Sequence, residues 1–114
     1  MNITLSVVLP FRSGSEKVTK PVAFESTLEL RAKKGGTRHY RLVAVVRHFG
    51  DTTRSGHYIT DVLCPTHTHS GPGTAWLRCN DARLEWVPRT TVFADTQTPY
   101  LLFYVRTTAP HPRA

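Results

Sequence analysis

The stretch Tyr40-Arg-Leu-Val-Ala-Val-Val46 constrains the fold more than any other. Its apolar residues are nearly continuous and rich in valine, a pattern that suits a central strand buried on both faces. No window of a dozen residues keeps a 3.6-residue apolar period. Instead, β-branched and aromatic residues return in short runs bounded by turn formers. Residues 3–9, 27–30, 58–63, 76–79, 84–87 and 100–105 each read as strands. Pro10 ends the first or marks it as an edge, and Pro21 gives the extended stretch 18–24 an edge position or an irregular path. Residues 90–95 form at most one helical turn. The fold class predicted from these runs is mostly β and antiparallel.

The connections follow from composition. Residues 33–37, Lys-Lys-Gly-Gly-Thr, read as a flexible charged link, and residues 65–73 as a loop rich in Pro, Thr, His and Gly. Asn80-Asp81 is a turn or bulge pair, because both residues tolerate unusual backbone angles. Residues 107–114 form a frayed tail. A chain of 114 residues holds one domain at most, with a modest core.

The formal net charge is +7, with Lys33, Lys34, Arg38 and Arg41 clustered around Gly35-Gly36 and Arg47 and Arg54 following. Such a balance permits contact with nucleic acid or an acidic protein, but the clusters are short and read first as a solvated basic face. Tyr100 and Tyr104 share a face by alternation, yet they sit in a run that looks like core. Nucleic-acid binding is therefore the lesser alternative. The first ten residues lack the basic start of a secretory signal, and no run approaches the length of a membrane span. The expectation is an intracellular protein, in cytoplasm or nucleus, with no membrane partner and with Cys64 and Cys79 reduced. A Cys64–Cys79 disulfide would require the two strands to be neighbours. Cys64, His67, His69 and Cys79 are zinc-type residues at spacings that fit no common framework, so neither metal nor cofactor is expected.

The stretch that invites a chemical reading is residues 48–58, His-Phe-Gly-Asp-Thr-Thr-Arg-Ser-Gly-His-Tyr. His57 stands where a strand emerges from a glycine turn, held on a rigid element and near an open edge. That is where a catalytic base belongs. If the strands at 58–63 and 76–79 are neighbours, the residue opening one lies beside the residue closing the other, which brings His57 to Asn80 and Asp81. Either side chain could accept the imidazole N–H. Spacing alone leaves the competing reading open: a turn histidine and an Asn-Asp turn.

Several blocks, in order, resemble the C-terminal end of the ubiquitin-specific protease domain, the papain-like cysteine proteases that remove ubiquitin. Tyr40-Arg-Leu-Val-Ala-Val-Val46 is similar to the strand before the family's histidine box. His48-Phe-Gly50 followed by Ser55-Gly-His-Tyr58 resembles the box itself. Trp76 with Asn80-Asp81 resembles the block that carries the third catalytic residue, and Tyr100-Leu-Leu-Phe-Tyr-Val-Arg106 the terminal strand. Residues 18–30 look like the segment joining two palm strands. Near the first strand, Pro10 and the order Phe11-Arg12 depart from the family pattern.

The resemblance implies an antiparallel palm sheet, the C-terminal portion of a papain-like α+β fold, with residues 1–114 as the histidine-box half of a protease domain. It implies that His57 is the general base, that Asn80 orients it, and that Asp81 is the neighbouring acidic position. Gly56 and Tyr58 would shape the approach of the ubiquitin tail, so the implied partner is ubiquitin or a ubiquitinated protein. The family's Asn-x-x-Cys nucleophile box and its paired Cys-x-x-Cys zinc fingers do not occur in these 114 residues. The resemblance therefore implies a deubiquitinase segment that is inactive alone. A non-catalytic module that binds ubiquitin or another partner is the alternative.

Overall fold

The computed structural model describes residues 4–8, 23–49, 56–95 and 99–107, the first of these through its backbone pairing. Among the described residues the elements are β1 (Thr4–Val8), β2 (Thr27–Arg31), β3 (Thr37–Phe49), β4 (His57–Thr68), β5 (Gly71–Asn80), β6 (Arg83–Val87), α1 (Arg89–Ala94) and β7 (Pro99–Thr107). The strands form one sheet in the order β1-β7-β3-β4-β5-β6, with β2 also paired to β3, and each of these pairings is antiparallel. The predicted β class is borne out. The stretches at 12–16 and 18–22 and the tail beyond Thr107 lie outside the described residues.

The central strand is the valine-rich run. β7 flanks one edge of β3 along residues 39–47. The other edge is divided: β2 pairs with residues 37–41 and β4 with residues 44–49. β2 and β4 therefore fork from a common edge. A register shift against β7 between Leu42 and Ala44 marks an irregularity in β3. Strict alternation would send Leu42 and Val45 to opposite faces, but both are buried, at 1% and 0% exposure. The bulge thus brings both into the core.

That core joins Leu42, Val45, Trp76, Val92, Leu102 and Tyr104, with Phe24, Leu63, Val87 and Phe93 packed around them. α1 covers this face through Val92 and Phe93. Phe93 meets Trp76 edge-on at 5.9 Å and Phe24 at 5.3 Å between ring centroids. Six residues are too few for a helix to stand by propensity, so its stability comes from this contact.

Two sequence expectations are overturned. Residues 65–73 are not a loop: β4 runs to Thr68, β5 starts at Gly71, and only His69-Ser70 turn the chain. Pairs from Cys64–Ala75 to Thr68–Gly71 complete the ladder. The turn-forming composition misled because β4 pairs with β3 only as far as Val62. Beyond it, among the described residues, β4 has β5 alone beside it, and an edge tolerates Pro65. Residues 33–37 are not a loose link either. They close the β2–β3 hairpin, with Gly35 and Gly36 at φ 86° and 82°, and the Arg38 guanidinium donates to the Gly35 carbonyl at 2.7 Å.

The register also separates the cysteines. Cys79 lies opposite Thr60 and Cys64 opposite Ala75, four steps apart on the ladder, and both thiols are free. Among the described residues, no helix is long and apolar enough to cross a membrane.

Candidate active site

The site begins with two residues of one hairpin. The Thr60–Cys79 pair puts Ile59 opposite Asn80 one step further on, and His57 is the next residue on that face of β4. Imidazole and carboxamide are thus diagonal neighbours, and His57 Nε2 lies 2.5 Å from Asn80 Oδ1. A carboxamide oxygen can only accept, so the proton of this bond sits on Nε2. In a neutral ring that leaves the lone pair on Nδ1. Both side chains are half-buried.

Asp81 is elsewhere. It takes the left-handed conformation, φ 54°, that turns the chain from β5 into β6, and its side chain is exposed. Tyr58 follows His57 and so points to the opposite sheet face. Its ring is 4.7 Å from that of the buried His48 and 5.7 Å from that of Tyr100. Gly56 has φ 121°, and an added Cβ would run into the Phe49 carbonyl oxygen and lie 2.8 Å from His48 Nε2. The chain's own atoms thus require glycine at this position.

A second constellation on the His57 face escaped the sequence reading. Arg47, grouped there with a solvated basic cluster, is fully buried. Its Nε donates to Asp61 Oδ2 at 2.9 Å, its Nη2 to the Val92 carbonyl at 2.6 Å and its Nη1 to the Asp95 carbonyl at 3.1 Å. It therefore caps the C-terminal carbonyls of α1, a helix with no basic residue in its own last turn. Arg78 completes the group, with Nε 2.7 Å from Asp61 Oδ1 and Nη2 3.0 Å from Oδ2. The hydrogen bond to Asp61 raises the Arg78 pKa against the opposing effect of burial. The available signal was a lone charge inside the apolar runs of β4 and β5, Asp61 and Arg78, because a charge in a buried strand needs a partner.

On the same face, in the fork between β2 and the β4–β5 hairpin, lies a cleft of about 690 Å³. Its walls include Leu42, Leu63, Trp76 and Phe93, but neither His57 nor Asn80. The histidine–carboxamide pair, at the open end of the hairpin, is therefore not part of this hollow.

An antiparallel palm sheet that presents a histidine paired with a carboxamide is the architecture of a papain-like hydrolase. The family model described as ubiquitin carboxyl-terminal hydrolase matches residues 4–104, and the chain belongs to that family. Ubiquitin carboxyl-terminal hydrolase 23 of Arabidopsis thaliana is 35% identical over 96 residues, covering 81% of this chain and 10% of that protein. The chain therefore spans about a tenth of that relative's length. Among solved structures, the Ubp8-Sgf11-Sgf73-Sus1 SAGA DUB module matches with a TM-score of 0.70 at 25% identity, over 94% of this chain and 24% of that one. A SAGA DUB module bound to monoubiquitin matches with a TM-score of 0.68 at 23% identity, over the same shares of the two chains. The resemblance to the ubiquitin-specific protease domain and its palm sheet is borne out.

Proposed function

We propose that these residues supply the base half of a deubiquitinase site, in which His57 is the general base and Asn80 orients it. The single observation that carries this reading is the bond from His57 Nε2 to Asn80 Oδ1. It commits one ring nitrogen to a fixed acceptor and leaves Nδ1 as the basic atom. In the proposed reaction a thiol proton passes to Nδ1 and the sulfur bonds to the isopeptide carbonyl carbon. The carbon–nitrogen bond breaks as Nδ1 returns the proton to the departing amine. Water, deprotonated by the same nitrogen, then bonds to that carbon as the carbon–sulfur bond breaks, and Nδ1 returns the proton to the departing sulfur.

Neither cysteine in the sequence suits the thiol role. Cys79 adjoins Asn80 on its strand and so faces the other side of the sheet, and Cys64 lies seven residues along β4 from His57, roughly 20 Å at strand rise. The thiol is therefore assigned to residues outside these 114. Ubiquitin is the proposed partner, inside the cell, with Gly56 and Tyr58 beside the path of its tail. Asp81, exposed on its turn, has the lesser role.

The test is a chimera in which these residues replace the matching tenth of the Arabidopsis relative. It should cleave a ubiquitin C-terminal amide, and His57→Ala should abolish that cleavage. The 114-residue chain alone should show none. An active chimera indifferent to His57→Ala would refute the reading. Ubiquitin added to the isolated chain should shift NMR signals around His57 and Tyr58, and no shift up to millimolar concentration would remove ubiquitin as the partner.

A further inference from the structure

We propose that Arg47, Asp61 and Arg78 are positioning residues for the His57–Asn80 pair: their buried ion network holds β4 and β5 in the register that sets imidazole and carboxamide as diagonal neighbours. This rests on the reading of that pair given above. Three rows of residues cross the His57 face. Phe49 pairs with His57 in the first. Arg47 pairs with Ile59 in the second, where Asn80 comes opposite Ile59. Val45, Asp61 and Arg78 form the third. The network thus occupies the second and third rows, shares the second with Asn80, and has Asp61 and Arg78 on the same two strands as the pair.

The chemistry of the network specifies register more sharply than the apolar pattern does. A slip of one residue would move Arg78 and Asn80 together to the opposite face. A slip of two would keep the face but carry Asn80 roughly 7 Å along β4, either to Asp61, beyond hydrogen-bond reach of His57, or squarely opposite His57 in place of the observed diagonal. Either would strip the fully buried Asp61 of its bidentate partner. A buried carboxylate without its partners is costly, and registry is the best-attested use of such buried charges. Arg47 extends the clamp to β3 and α1 through its bonds to Asp61, Val92 and Asp95, so the hairpin is anchored to the core as well as to itself.

The experiment reads the His57 ring directly, by long-range 1H–15N NMR correlations in the isolated chain. The native chain should show a single Nε2–H tautomer, and Asn80→Ala should lose it. Asp61→Asn and Arg78→Met should also lose it, while the amide spectrum stays dispersed. Arg78→Lys keeps the charge without the bidentate fork and should fall between native and Arg78→Met. Leu102→Ala loosens the core from β7 and serves as the stability control; it should leave the tautomer native. In the chimera, Arg78→Lys should lower kcat with KM unchanged.

A native tautomer in both Asp61→Asn and Arg78→Met, with Asn80→Ala shifted, would overturn the positioning role and leave the pair standing. A native tautomer in Asn80→Ala would overturn the pair itself, and the positioning role with it. Loss of the tautomer in Leu102→Ala to the same extent as in the network variants would reduce the network to general stability. If Asp61→Asn does not fold, Arg78→Lys and Arg78→Met decide, because Arg78 is partly exposed, at 23%.

Discussion

The carbonyl oxygen of Phe49 fills the space that a side chain on Gly56 would need, with the His48 ring pressed against the same point. Phe49 also pairs with His57, so any displacement at Gly56 reaches the histidine through one peptide unit. Gly56→Ala is expected to destabilise the chain by at least about 1–3 kcal/mol from its φ alone, and more from the clash. Urea unfolding measures the loss, and the His57 ring signals should move with it.

Asn80→Ala leaves the His57 imidazole without its acceptor. In the chimera kcat should fall about 10²–10⁴-fold, the range that a positioned acid–base group contributes. Asp81→Ala should change it far less, because the Asp81 side chain lies exposed on the turn after β5. Steady-state kinetics on the two variants checks the order. Equal losses would return Asp81 to the site.

Asp61→Ala removes the shared acceptor of two guanidinium groups, one of them fully buried. Breaking the buried Arg47–Asp61 pair from the Asp61 side should cost about 3–5 kcal/mol. Exchanging Arg47, Asp61 and Arg78 together for apolar residues of similar volume should cost less, since none of the three is then buried against a missing partner and Asp95, which pairs with Arg47 at 3.5 Å, is partly exposed. Chemical denaturation of the single and triple variants separates the two cases.

Tyr104 is 3% exposed and donates its hydroxyl to the Glu25 carbonyl at 3.0 Å. Burial, and then the Glu25 charge, raise its pKa above the ordinary 10.0. The folded state therefore holds this proton more tightly than the unfolded chain does. The associated stability is complete below pH 10 and is lost as the pH rises through the folded-state value. The melting temperature should fall more steeply above about pH 10 in the native chain than in Tyr104→Phe.

The runs of β-branched residues marked the strands correctly because strand burial leaves a pattern in one dimension. The hairpin logic that set His57 beside Asn80 was equally legible, since strands adjacent in sequence are usually adjacent in space. Pro65, His67, Gly71 and Gly73 were misleading because composition reports local turn preference, and this part of β4, which among the described residues pairs with β5 alone, tolerates it. The partnership of Arg47, Asp61 and Arg78 was missed for a different reason. Their partnership depends on register across three strands and on the irregularity near Val43, which no local pattern encodes. Gly56 was noticed for the right position, while the Phe49 and His48 atoms that demand it emerge only in three dimensions.

The two ends of the His57–Asn80 bond are 23 residues apart and belong to one hairpin with a two-residue turn. Closing so short a loop costs little chain entropy, and local strand pairs form within microseconds. This pair has low contact order and can assemble from its own hairpin, so the imidazole can be aimed as soon as β4 and β5 have zipped together.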